Sequence, residues 1–272
     1  MQSANAPAIV SRFTARPISL RITPGIISLI STITMLIAWF AVTKFGLANP
    51  LFLPGPSDVL AKLYEIAVEG YQGATLAEHL ATSLGRILSG FGLACAVGIP
   101  LGIMMGLSRN THAALNPLIE FYRPLPPLGI YTVLVMWLGI GEASKLALLF
   151  LAGLPGIIIS TTQAVSNIDP IYVRAAKSLG ATRRDLFWHI FLPAAGPTIL
   201  TGMRISLGFT YTVLVAAEIV AATAGIGWMI WDAAKFLLSD VVIGGLFVLG
   251  ITGVALDFVM RAAGRVVMPW TR

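Results

Sequence analysis

Six apolar runs, each close to the length a helix needs to cross a bilayer, constrain this chain more than any other feature. They are Pro24 to Thr43, Arg86 to Leu107, Leu125 to Gly141, Lys145 to Val165, Pro197 to Ala222 and Val241 to Met260. About 20 residues span the hydrocarbon core. No water satisfies backbone groups there, so such segments must be helical. The composition agrees, with 57% hydrophobic and 11% charged residues in 272, more grease than one soluble core of that length would use. The expected fold is therefore an all-α integral membrane protein with six transmembrane helices. Pro100, Pro126, Pro127 and Pro155 predict kinks, and "RPLPP" at Arg123 to Pro127 forbids a regular helix at the start of the third run.

Lys and Arg accumulate on the cytoplasmic side of a membrane protein. Alternate connections, taken with the termini, collect Arg12, Arg16, Arg21, Arg109, Arg123, Arg174, Lys177, Arg183, Arg184, Arg261, Arg265 and Arg272 against only Glu120, Asp169 and Asp185. The opposite side carries a net negative charge: Lys44, Lys62, Lys145 and Lys235 face Asp58, Glu65, Glu69, Glu78, Glu142, Asp232 and Asp240. Both termini are thus expected in the cytoplasm, and the basic pI reflects orientation rather than nucleic-acid binding. The expected organisation is a cytoplasmic arm 1–23, a six-helix domain 24–262 and a cytoplasmic tail 263–272. The run from Ile26 to Val42 is long for a signal-peptide core and no small-residue cleavage site follows, so it reads as a retained anchor.

Several smaller patterns fit. Gly98, Gly102 and Gly106 lie four apart, the spacing that lets helices approach closely in lipid. "PSDVLAKLYEIAVEG" puts Val59, Leu60, Leu63, Ile66 and Ala67 on one face of a surface helix. "GWMIWDAAKFLLSD" reads as a second interfacial helix with Trp228 and Trp231 at headgroup depth. Arg204 and Glu218 are charges inside the fifth run, about 21 Å apart along one helix and unable to pair with each other. With Ser206, Thr210, Tyr211 and Thr212 they form the candidate polar pathway, a pairing to other helices being the alternative. Asp257 has Arg261 one turn away as an ion-pair partner.

The connection 167–196 is the longest on the basic side. Pro170 can open a helix, Gly180 can end it in the left-handed conformation, and Thr182 with Asp185 forms a capping box for a second short helix stopped at Pro193. A soluble helix, turn and helix of this kind implies a cytoplasmic partner.

"RAAKSLGA" followed by "IFLP" (Ala175, Ala176, Gly180, Ile190, Leu192 and Pro193) resembles the "EAA" loop of bacterial ABC importer permeases. "LFLPGPSDVL", "IEFYRPLPPL", "WLGIGEASK", "LVAAEIVAAT" and "FLLSDVV" are similar to the branch importing taurine, other sulfonates and nitrate, and nearest to its taurine members. The likeness covers about Asn49 to Trp270. Two departures stand out: Arg174 replaces the motif's leading Glu, and "GIYTVLVMW" replaces a Trp-Leu-Pro-Leu element at a pathway helix. The resemblance implies a type I importer (MetI-like) permease fold that moves a small organic anion from periplasm to cytoplasm across the bacterial inner membrane. It also implies a second copy of the chain, two ATPase subunits and a periplasmic substrate-binding protein. The coupling residues it implies are Arg174, Ala175, Ala176, Lys177, Ser178, Leu179, Gly180, Ala181 and Pro193. ATP and Mg would belong to the partner ATPase, with no cofactor and no metal on this chain.

The sequence offers rivals little. "GIGEASK" lacks the second Gly of a phosphate-binding loop. His79, His112 and His189 have no metal-ligand spacing, the lone Cys95 forms no framework, and no nucleophile sits with a base, so no catalytic residue is expected. A proton-coupled secondary transporter using Glu218 and Asp257 stays open as the alternative, although no internal repeat supports it.

Overall fold

The computed structural model describes residues 24–271. The arm 1–23, with Arg12, Arg16 and Arg21, and the terminal Arg272 lie outside them. In chain order the helices are α1 (Pro24–Lys44), α2 (Pro56–Val68), α3 (Leu76–Leu107), α4 (Arg109–Tyr122), α5 (Pro127–Leu138), α6 (Glu142–Ser166), α7 (Pro170–Ser178), α8 (Arg183–Leu186), α9 (Leu192–Ala221), α10 (Ile226–Lys235) and α11 (Ser239–Val267).

Five of these, α1, α3, α6, α9 and α11, are long and apolar enough to cross a membrane. The third expected crossing is shorter than read. α5 has 12 residues, a rise of about 18 Å against a hydrocarbon core of about 30 Å. Pro126 and Pro127 delay its start, and Gly139, at φ 78°, ends it. The stretch read as a bare connection before it is helix α4, capped by the Ser108 hydroxyl on the Thr111 N–H. α3 begins ten residues before the expected Arg86, because Thr75 and Glu78 form a reciprocal capping box.

Helix α6 is the central element, and small residues set its packing. Gly90, Gly98, Gly102 and Gly106 of α3 rest on Leu149, Ile157, Thr161 and Val165, each 59 residues further along, so α3 and α6 run parallel in one register. Along α9 the partners run in reverse order, Gly202 against Ser160 and Ser206 against Gly156, so α9 is antiparallel to α6. A Cβ on Gly102 would sit 2.5 Å from the Thr161 Cβ. Gly102→Ala should therefore destabilise the bundle by about 1–3 kcal/mol, seen as a lower melting temperature in detergent. Gly92→Ala, which meets open space, should leave it unchanged. Equal melting temperatures would show that the close approach contributes nothing.

Proline carbonyl accounting explains one tertiary link. Pro197 has no N–H, which frees the carbonyl of Pro193 one turn earlier; the Trp270 indole donates to that carbonyl at 3.2 Å. Met268 to Trp270 thereby closes against the start of α9. Helix α1 stands apart, exposed nearly all round, and is held by the Trp39 ring stacked on Phe247 and by the Trp39 indole donating to Pro54.

Candidate functional site

Two constructions at opposite ends of the bundle carry the functional residues. At one end, Asp169 caps α7 through the Ile171 N–H at 2.8 Å, with Pro170 in the first turn. The helix ends in a complete Schellman arrangement. The Gly180 N–H donates to the Lys177 carbonyl and the Ala181 N–H to the Ala176 carbonyl, each at 3.0 Å, with Gly180 at φ 87°. Thr182 and Asp185 then cap α8 reciprocally. No residue of α7 is buried, and Ile171, Tyr172 and Leu179 stand out at 55%, 61% and 89% exposure. A short basic knob that displays apolar side chains has the form of a docking surface.

The second short helix is not stopped at Pro193. Phe187–Phe191 forms a π turn, in which the Leu192 N–H reaches back to the Phe187 carbonyl, and the chain runs on into α9 without a break. Widening the turn before Pro193 accommodates its ring, whose clash with the fourth preceding carbonyl would otherwise break the helix. The knob is therefore continuous with a membrane helix. Arg174, Ala175, Lys177, Ser178 and Gly180 are exposed, Ala176 and Ala181 half-buried within the cap, and Pro193 lies inside the long helix.

At the other end a buried polar network joins four helices. The Arg86 guanidinium donates through Nε and Nη2 to Glu142 at 2.8 and 2.7 Å, and through Nη1 to Glu218 at 2.8 Å and the Ala224 carbonyl at 2.7 Å. Glu218 is fully buried; it also accepts from the Ser83 hydroxyl at 2.7 Å and the Gly227 N–H at 2.8 Å. Lys145 donates to Glu142 at 2.8 Å. The Gly225 N–H donates to His79 Nδ1, so Nε2 carries the proton and faces the Tyr71 carbonyl. His79, Ser83 and Arg86 share one face of α3, and a Cβ on Gly225 would strike the Glu218 carboxylate. Trp228 is half-buried and stacked on His79 at the edge of this network, while Trp231 faces outward.

The six residues expected to line one pathway do not share a face. Arg204, Tyr211 and Glu218, seven apart, turn toward other helices of the bundle. Arg204 binds Asp257 at 2.7 and 3.1 Å, and Asp257 also holds Arg261 at 3.1 Å, the pairing expected from their spacing. The Tyr211 hydroxyl reaches the Leu249 carbonyl. Ser206 and Thr210 are buried against Gly156 and Gly153 of α6. Only Thr212 lies exposed. Sequence reasoning missed the Arg86 network, since a one-dimensional charge count cancels Arg86 against Glu218 without showing that they touch.

Comparison with known proteins decides the family. The model for the binding-protein-dependent transport system inner membrane component matches residues 98–272. The chain belongs to that family. This inner membrane component is 44% identical over 255 residues to the taurine transport system permease protein TauC of Escherichia coli, covering 93% of this chain and 92% of TauC. It is 31% identical over 259 residues to the nitrate import permease protein NrtB of Synechocystis, covering 93% of each. Among solved structures, a chain of the MetNI methionine ABC transporter in inward-facing conformations superposes with a TM-score of 0.61 at 17% identity, over 72% of this chain and 96% of that one. The fold of this inner membrane component is thus the MetI-like one.

Proposed function

We propose that this chain is the permease subunit of an ATP-binding-cassette importer that carries taurine or another alkanesulfonate inward, with ATP hydrolysed by partner subunits. The exposed α7–Gly180–α8 knob, whose α8 runs on into α9, carries the reading: it offers a docking surface joined to a lever into the membrane. Its residues Arg174 to Ala181 seat in the ATPase. Two copies of the chain form the pathway, two ATPase subunits dock beneath them, and a periplasmic protein delivers the solute. The identity to a taurine permease over nearly the whole length of both chains supports the substrate class. Arg109, Arg123, Arg174, Lys177, Arg183 and Arg184 support placing the α7 end, and with it both termini, in the cytoplasm.

Purified with its ATPase, the protein should show two copies of this chain per complex by native mass spectrometry; one copy would overturn the dimer. Proteoliposomes holding that complex and the binding protein should accumulate taurine when ATP is present on the ATPase side. Nitrate should compete poorly. Preferential nitrate uptake would replace the substrate assignment, and uptake driven by a proton gradient without ATP would replace the mechanism.

A further inference from the structure

We propose that the outward face shared by α6 and α9 is the water-filled wall of the solute path, lined by Gln163 and the half-buried Ser160 on α6, by Thr198 and Thr201 in the first half of α9 and by Thr212 beyond its midpoint. The inference rests on the importer reading above and places the path on the face of α9 opposite the buried Ser206 and Thr210.

The argument begins with what a lipid-facing surface looks like in this protein. The outer face of α11 presents Leu246, Ile251, Val254 and Phe258, and that of α1 is likewise aliphatic and aromatic. The α6–α9 face is mixed: on α9 the hydroxyls of Thr198, Thr201 and Thr212 share it with Ile205 and Phe209, 71% and 52% exposed. Hydroxyls alone would not decide the matter, because a Ser or Thr in lipid can satisfy its own helix. Ser160, Thr201 and Thr212 do so, donating to the carbonyls of Gly156, Pro197 and Gly208 at 2.7, 2.9 and 3.2 Å.

Gln163 decides it. Its amide has two donors and an acceptor that no backbone group of α6 takes up. Its side chain is exposed, one turn before the end of a membrane-crossing helix, and has no hydrogen-bond partner among the described residues. An amide left unpaired in hydrocarbon is costly, so intramembrane polar groups of this kind face water or another polar surface.

A cavity of about 330 Å³ opens at the same place, bordered by Gln163, Asn167, Asp169, Tyr172 and Thr198. Its size falls in the range of small-ligand sites, roughly 300–1,000 Å³. Apart from Asp169, whose carboxylate caps α7, its polar groups are uncharged amides and hydroxyls. They offer a small zwitterion or sulfonate hydrogen bonds without a fixed cation that would hold it. A path suits such groups, since a solute must leave as readily as it enters.

Cys95 is the protein's one cysteine, so Cys95→Ala gives a clean background for single-cysteine labelling in the reconstituted permease–ATPase complex. The variants are Gln163→Cys, Thr198→Cys and Thr212→Cys, with Val254→Cys on α11 as the lipid-facing reference. The probe is 2-sulfonatoethyl methanethiosulfonate, which is membrane-impermeant and reacts with thiolate. Apolar surroundings raise a thiol's pKa, and each unit removes about tenfold of its thiolate. Labelling at the three path positions should thus exceed that at Val254→Cys by about tenfold or more, and saturating taurine should slow it.

Labelling no faster than at Val254→Cys means a dry face and overturns the proposal. Fast labelling that taurine leaves unchanged means a crevice the solute does not use, and overturns it too. If Gln163→Cys does not assemble, the Thr198→Cys and Thr212→Cys rates decide. Taurine-stimulated ATP hydrolysis by the Cys95→Ala complex checks the importer reading separately. Hydrolysis retained without path labelling removes only this inference, and hydrolysis that taurine never stimulates removes the reading beneath it.

Discussion

Ala175→Glu and Gly180→Val should each leave the permease inserted and dimeric, yet abolish transport. Ala175 is exposed in the isolated chain, so a larger, charged side chain there disturbs nothing within the fold. Any loss must come from the partner, where forcing bulk into a fitted contact typically costs about 1–3 kcal/mol. Gly180 acts differently. A Cβ there would meet open space, so sterics with neighbours are irrelevant, but φ of 87° is strained for any L side chain and most for a β-branched one. Valine would unwind the Schellman cap and tilt α8, and with it the lever into α9. Gly180→Asn, which tolerates the left-handed region, should retain most activity. The measurements are co-purified ATPase, taurine-stimulated hydrolysis and uptake in proteoliposomes. Wild-type values for Ala175→Glu and Gly180→Val would reduce the knob to an ordinary solvated loop, and the coupling assignment would go with it.

Glu218→Ala should destabilise the protein by about 3–5 kcal/mol, the range for removing one member of a buried ion pair. The substitution strands the buried Arg86 Nη1 on a single carbonyl and removes the acceptors of the Gly227 N–H and the Ser83 hydroxyl. Since these bonds hold the start of α10 against α3 and α9, the same change should expose that helix to proteolysis. Arg86→Met should be similarly damaging, because it leaves the enclosed Glu218 carboxyl without its guanidinium partner. The double variant Arg86→Met with Glu218→Met should lose less than the two single losses added, since replacing both charges with apolar groups removes the stranded one. Thermal unfolding of the detergent-solubilised variants checks this. An unchanged melting temperature for Glu218→Ala would sink the claim that the network holds the four helices together, and strict additivity would show that Arg86 and Glu218 are not coupled.

Much of the architecture was legible because membranes simplify the reading. The bilayer imposes a length and a composition on every crossing segment, so the spans at α1, α3, α6, α9 and α11 followed from apolar runs. The Gly98, Gly102 and Gly106 repeat correctly marked a close helix contact. The Thr182–Asp185 capping box and the left-handed Gly180 are local features, fixed within a few residues, and both formed as read. Boundaries were less legible. The rise in hydropathy points to Arg86 as the start of α3, whereas the capping box of Thr75 and Glu78 sets it at Leu76, and the surface-type pattern of α4 resembles a connection.

The limit of the sequence lies where side chains distant along the chain meet. Thr182 and Asp185 needed only their own turn, whereas Arg86 and Glu218 are 132 residues apart and only the packing of α3, α6 and α9 brings them together. Which face of α9 is buried also depends on its neighbours. Hydroxyls at Ser206 and Thr210 and at Thr201 and Thr212 are chemically alike, yet contact with the glycines of α6 encloses the first pair and leaves the second open. By itself the sequence determined which segments enter the membrane and where the soluble knob forms, because those choices rest on solvation and local backbone geometry. Only the tertiary structure decided which intramembrane polar groups are paired and which face outward, because that depends on which helix lies alongside.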